Sequence, residues 1–185
     1  MDAVEEAFAA VPRGGFLREA HRDQAGYDEP LPIGHGQTNS QPSTVREMLR
    51  LLDVHPGQRV LDVGAGSGWT TALLGHLVGP AGVVVGVEIE PELASWGEAN
   101  VRRTAYAWAS VRAAEPGVLG VPAEGPWDRI LVSAAARSLP RELLDQLADV
   151  GRMVVPVQGT MLVVTREGDR VRTSEHGSYR FVPLR

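Results

Sequence analysis

The residues with the clearest chemistry lie in one stretch, Val60-Leu61-Asp62-Val63-Gly64-Ala65-Gly66-Ser67-Gly68, where an apolar run enters Gly-x-Gly-x-Gly and a helical pattern follows at once. Glycines at a strand-to-helix turn let the backbone bend sharply and approach a ligand with no side chain between them. Glu88 closes the next apolar run, 24 positions after Gly64, near the roughly 20 expected of a carboxylate that accepts from ribose hydroxyls. The pair points to an adenosine-containing cofactor. A dinucleotide site would read G-x-G-x-x-G, with a pyrophosphate on the helix N-terminus. Here the spacing is shorter and Asp62 stands beside the turn. A carboxylate there repels a pyrophosphate and suits a cationic ligand, so S-adenosylmethionine is expected over NAD. A tight turn without a ligand is the weaker reading, because it leaves Asp62 and Glu88 unexplained.

A second stretch, Leu31-Pro32-Ile33-Gly34-His35-Gly36-Gln37-Thr38-Asn39-Ser40-Gln41-Pro42, is dense in hydroxyl and amide groups just before a helical pattern. Ser40 as a nucleophile would need a base; His35 is near in sequence, but no third orienting group and no nucleophile elbow accompany it. The alternative is structural, with Ser40 as an N-cap whose hydroxyl bonds the first turn of the following helix. The chain has no cysteine, which excludes disulfides, thiolate catalysis and zinc-cysteine sites. The five histidines (His21, His35, His55, His76, His176) show no ligand spacing, and no metal is assigned.

The elements that must position these residues alternate between two periods. Strand-like runs occur at Arg59–Val63, Val83–Glu88, Ala109–Arg112, Arg129–Ser133, Met153–Val157, Met161–Thr165 and Tyr179–Leu184. Helical patterns fall between the early ones. Val45, Met48, Leu49 and Leu52 make one face of a helix opened by Pro42. Ala72–Val78 forms a second, Pro91 opens a third with Leu93, Trp96 and Val101, and Pro140 opens a fourth with Leu143, Leu144 and Leu147, ending near Gly151. Alternating strands and helices imply an α/β fold, a doubly wound, mostly parallel sheet. Strand follows strand in the tail, so an antiparallel C-terminal edge is expected. Residues 1–42 are expected to form a short helix, Val4–Ala10, and then a loop over one end of the sheet.

At 185 residues the chain fits a single domain spanning 1–185. Its net charge of −5 argues against a nucleic-acid partner. No run reaches the ~18 apolar residues of a membrane span. The acidic start, Met1-Asp2-Ala3-Val4-Glu5-Glu6, lacks a signal-peptide apolar region. A cytoplasmic monomer is the expectation.

Taken in order, Val11-Pro12-Arg13, Leu31–Pro42, Leu61–Gly68, Trp127-Asp128-Arg129-Ile130, Ser133-Ala134-Ala135-Ala136 and Arg180-Phe181-Val182-Pro183-Leu184 resemble the protein-L-isoaspartate (D-aspartate) O-methyltransferases over nearly the whole chain. The block Pro32–Thr38 followed by Ser40-Gln41-Pro42 is specific to that family; the glycine loop alone indicates only a class I methyltransferase. The resemblance implies a Rossmann-like fold and methyl transfer from S-adenosyl-L-methionine to the carboxylate of L-isoaspartyl and D-aspartyl residues in damaged proteins, a repair step. It implies Ser40 as the active-site serine. Cofactor contacts carry over to Asn39, Gln41, Pro42, Asp62, Gly64, Gly66, Ser67, Glu88, Ile89 and Glu115. A carboxylate acceptor is already ionised at neutral pH, so such a site needs neither base, metal nor triad, and Ser40 would orient the acceptor.

The chain departs from the family pattern at four places. Asn39 stands where the family usually has Ile, Ala114-Glu115-Pro116 where it has Gly-Asp-Gly, and Arg137 where it has Pro. The family's additional N-terminal helix would precede Val4–Ala10. These departures bear on the substrate more than on the cofactor, and keep two alternatives in view: a carboxylate methyltransferase for a dedicated modified peptide, and a catalytically impaired cofactor-binding relative.

Overall fold

The computed structural model describes residues 2–185. Helix α1 (Ala3–Ala10) is capped by Asp2, whose Oδ1 accepts from the Glu5 amide at 2.8 Å. Two 3-10 turns, Arg13–Phe16 and Glu19–Gln24, lead into a hairpin of β1 (Leu31–Gly34) and β2 (Gln37–Asn39). The expected covering loop is thus partly regular. His35 takes a left-handed conformation at the hairpin tip, flanked by Gly34 and Gly36 with positive φ.

Helix α2 (Pro42–Leu52) starts on Pro42 and buries Val45, Met48, Leu49 and Leu52, the face expected from their spacing. Its first turn is not capped by Ser40. Gln41 is the N-cap residue, and a distant carboxylate, Asp28 Oδ1, accepts from the Ser43 amide at 2.8 Å.

The main sheet contains β3 (Arg59–Val63), β4 (Val83–Glu88), β5 (Ala109–Ala113), β6 (Trp127–Val132), β7 (Leu147–Val157), β8 (Thr160–Glu167) and β9 (Arg170–Ser178), in the order β5-β4-β3-β6-β7-β8-β9. The pairings from β5 through β7 are parallel; β7-β8 and β8-β9 are antiparallel. The crossovers from β3 to β4 and β4 to β5 are made by α3 (Trp69–Val78) and α4 (Pro91–Val101). Alternate residues of the strands feed two cores: Val60, Val84 and Leu131 pack with α1, α2 and α3, whereas Leu61, Val85, Ile130, Val132 and Met153 pack with Trp127, Leu143 and Leu147.

Two expected elements differ. The helix begun at Pro140 lasts one turn, α5 (Arg141–Leu144), and Leu147 already belongs to β7. Gln146 explains the stop: its side-chain amide accepts from the Val121 amide and donates to the carbonyls of Leu119 and Glu142, all at 2.8 Å. The last strand is Arg170–Ser178, not Tyr179–Leu184. Its side chains are almost all exposed, so hydrophobicity does not mark it; main-chain pairing to β8 makes it an edge strand. The apolar Tyr179–Leu184 instead crosses the strand ends, where Val182 accepts from the Ala135 amide and Leu184 donates to the Ala135 carbonyl.

Candidate active site

The chain leaves β3 to build β4 and β5 on one side, then returns to place β6 on the other. Such a reversal opens a crevice at the carboxyl ends of the strands. A cleft of about 690 Å³ lies there, walled by Gly64, Gly66, Glu88, Ile89, Glu115 and Ser133, by Ile33, Gln37 and Thr38 of the hairpin, and by Val182–Arg185. A narrow polar extension of about 40 Å³ shares Thr38, Gly64, Gly66 and Ser133 with it and adds Asn39, Ser40, Ser67 and Thr70.

The glycine turn is shaped by contacts that a side chain would break. Gly64, Gly66 and Gly68 all have positive φ, which L-residues rarely adopt. A Cβ on Gly68 would stand 2.7 Å from the Gly97 carbonyl oxygen, and one on Gly97 would stand 2.6 Å from the Gly66 carbonyl oxygen. Loop and α4 therefore touch backbone to backbone. Asn100, one turn further along α4, locks the loop by donating to the Ser67 carbonyl at 2.9 Å. Neither Gly97 nor Asn100 is singled out by the sequence motifs. A lone glycine and asparagine in a helical pattern show their purpose only once the loop is folded onto them.

Glu88 sits at the end of β4 with 5% of its surface exposed. Its Oε2 accepts from the Gly66 amide at 2.9 Å and its Oε1 from the Glu90 amide at 3.0 Å. Each carboxylate oxygen keeps a lone pair beyond these bonds, on a residue that walls the cleft. Asp62 is placed differently from the direct ligand contact expected of it. It has no exposed surface and lies behind the turn, where Oδ2 accepts from the hydroxyls of Thr70 and Thr71, both at 2.7 Å. Oδ1 has no partner among the described residues. Burial pushes this carboxyl up to about 6, helped slightly by the Glu88 charge and opposed by the two threonine hydroxyls. Asp62 acts on the loop from beneath, tying the first turn of α3 to β3.

The pre-helical residues divide. Ser40 lines the polar extension, and its hydroxyl bonds no other described residue. His35 does not serve it as a base: the imidazole pairs with Glu92 (Nε2 to Oε2, 3.0 Å) and lies 3.8 Å from Glu90 Oε2. Glu90 also pairs with Arg185, so the hairpin tip and the C-terminal segment share an anchor at the rim. Asn39 is buried, accepting from Arg13 Nε at 2.7 Å and donating to Ser67 Oγ at 3.0 Å. Gln41 and Pro42 do not wall the cleft or its extension. Gln41 donates to Ser43 Oγ at 2.9 Å, and Pro42 borders a separate groove lined by Arg13, Asp28 and Trp69. Ile89 and Glu115 are both on the cleft wall, with Pro116 beside Glu115.

Three observations test whether an adenosine-bearing methyl donor fits. Gly66 has a left-handed backbone (φ 52°) that favours glycine, and a Cβ there would crowd Ile33 Cδ1 at 3.1 Å. Glu88 keeps an open lone pair on each carboxylate oxygen at the cleft wall, and the Ser133 hydroxyl is buried there without a partner among the described residues. The residues fit. Among the described residues no group of three or more His, Asp or Glu could hold a metal ion, and no helix is long and apolar enough to cross a membrane.

Strand order, glycine turn and the strand-end carboxylate define a Rossmann-like methyltransferase fold. The family model for protein-L-isoaspartate(D-aspartate) O-methyltransferase matches residues 1–185. The protein-L-isoaspartate O-methyltransferase of Methanopyrus kandleri is 46% identical over 186 residues, 98% of this chain and 82% of the relative. That of Aeropyrum pernix is 46% identical over 98% of this chain and 72% of the relative. Among solved structures, a putative protein-L-isoaspartate O-methyltransferase from Plasmodium falciparum in complex with S-adenosyl-L-homocysteine superposes with a TM-score of 0.86 at 27% identity, covering 100% of this chain and 91% of that one. The chain belongs to the protein-L-isoaspartate O-methyltransferase family.

Proposed function

We propose that the protein methylates the side-chain-position carboxylate of L-isoaspartyl residues in damaged proteins, using S-adenosyl-L-methionine. The observation that carries this reading is the Glu88 carboxylate, fixed by the Gly66 and Glu90 amides on the wall of a cleft that narrows into the pocket of Ser40. When bound, the cofactor supplies an activated methyl group on a sulfonium.

The chain's own residues do the remaining work. Glu88 holds the ribose hydroxyls, Glu115 and Ile89 flank the adenine end, and Gly64 and Gly66 leave room for the amino-acid end. Ser40 donates a hydrogen bond to the acceptor carboxylate and sets its angle of approach. No proton needs to move, because the carboxylate arrives ionised. Alignment and exclusion of water are then the main sources of acceleration, and positioning alone supplies up to roughly 7–11 kcal/mol. Thr38 of the hairpin and Val182 of the C-terminal segment both wall the cleft.

The test is transfer of labelled methyl to an isoaspartyl peptide and to its normal aspartyl twin. The reading expects labelling of the first and background on the second. Equal labelling of both, or none on the first, refutes repair specificity.

A further inference from the structure

Arg13 lies in the short 3-10 turn after α1, outside the cleft and its polar extension, yet it is 5% exposed and its guanidinium reaches five acceptors on two stretches of chain, Tyr27 with Glu29 and Asn39 with Ser40. Nε donates to Asn39 Oδ1 at 2.7 Å, and Nη1 to the Tyr27 carbonyl at 2.9 Å. Nη2 donates to the carbonyls of Glu29 (2.8 Å), Ser40 (3.0 Å) and Asn39 (3.1 Å). Among the described residues no carboxylate pairs with it. A buried cation whose hydrogen-bond partners are neutral oxygens is costly; the Trp69 ring, its centroid 5.6 Å from the guanidinium carbon, offsets part of that cost, and burial pushes the pKa down against the opposing influence of Asp28. Three of the five contacts go to Asn39 and Ser40. Asn39 ends β2 and Ser40 begins the short link to α2, whose N-cap residue makes no side-chain capping bond.

We infer that Arg13 is a positioning residue for Ser40: its guanidinium fork clamps the carbonyls of residues 39 and 40 and the Asn39 side chain, and so sets the place of the Ser40 hydroxyl over the acceptor. Asn39 extends the clamp to the glycine loop through Ser67 Oγ, which fixes the Ser40 segment relative to the loop that holds the cofactor. A planar guanidinium can serve several acceptors in fixed directions; an ammonium of the same charge cannot. The inference rests on the role of Ser40 proposed above.

The experiment compares wild-type protein with Arg13→Lys, measuring kcat and KM on an isoaspartyl peptide, the Kd for S-adenosylhomocysteine, and the melting temperature. A misplacement of about 1 Å costs up to about 100-fold in rate, so kcat should fall about 10- to 100-fold. The Kd for S-adenosylhomocysteine should stay within about threefold, because Arg13 does not wall the cleft. A merely structural role would lower cofactor affinity and kcat together, and that outcome overturns the inference; so does a kcat within twofold of wild type. Should Arg13→Lys fail to fold, Asn39→Leu removes the 2.7 Å bond and leaves the arginine in place. Its kcat should then fall at least about fivefold, and an unchanged kcat counts against the clamp. Wild-type protein inactive on the isoaspartyl peptide would refute the proposed function itself, a result distinct from an active wild type with an indifferent Arg13→Lys.

Discussion

Glu88 offers the sharpest single perturbation. Both of its oxygens are engaged by backbone amides, Gly66 at 2.9 Å and Glu90 at 3.0 Å, and each is expected to accept one ribose hydroxyl as well. Glu88→Gln keeps the shape but replaces one acceptor oxygen with an NH2 group. Whichever way the amide turns, one backbone N–H then faces a donor, and one ribose hydroxyl loses its charged acceptor. A hydrogen bond to a charged group is worth roughly 1.5–3 kcal/mol. The misfaced amide is present with and without cofactor and so lowers stability instead, which leaves about 1.5–3 kcal/mol in cofactor binding, or about 10- to 200-fold in Kd. Calorimetric titration with S-adenosylhomocysteine measures it, and the melting temperature of the unliganded variant reports what the change costs the fold. A 2′-deoxy analogue completes the cycle, losing affinity for wild type and much less for Glu88→Gln. A variant that stays folded and binds within threefold of wild type would refute the ribose assignment and the reasoning from strand-end carboxylates.

Ser40→Ala removes a hydroxyl that bonds no other described residue, so stability should barely change while kcat on an isoaspartyl peptide falls about 10- to 100-fold with cofactor affinity intact; steady-state kinetics beside calorimetry checks the split. Gly97→Ala puts a Cβ 2.6 Å from the Gly66 carbonyl oxygen, and overpacking of this kind costs about 1–3 kcal/mol. Thermal unfolding should show a melting temperature lower by about 2–10 °C, with weaker S-adenosylhomocysteine binding because the glycine turn is pushed into the cleft. Asp62 binds its proton more tightly folded, at about 6, than its ordinary value of 3.8. In the window between those values the native state holds more protons than the unfolded one, so its contribution to stability falls as pH rises through the window, by on the order of 1–3 kcal/mol, and is flat above it. Denaturant unfolding from pH 4 to 7 should show this slope in wild type and lose it in Asp62→Asn.

Local chemistry was legible because its signals are local. The turn at Gly64–Gly68 follows from a backbone conformation open to glycine, Glu88 from its place at the end of an apolar run, and α2, α3 and α4 from helical spacing and opening prolines. Periodicity failed where an element owes its form to a neighbour. The leucines after Pro140 keep helical spacing for one turn only, because Gln146 must reach Val121 and Leu119. β9 shows no apolar pattern, since an edge strand is held by main-chain bonds alone.

Sequence alone was enough to specify the alternating α/β architecture, the glycine turn, the strand-end carboxylate and the serine before α2, each written in a few adjacent residues. Tertiary structure decided which polar groups face the cleft and which support it from behind. It turned Asp62 inward to Thr70 and Thr71, moved Gln41 and Pro42 away from the cleft, and brought Arg13, 27 positions upstream, onto the Ser40 carbonyl. Those assignments depend on directions in space between segments far apart along the chain. Residue type and spacing fix how a short segment bends, but only the packed fold determines what the bent segment meets.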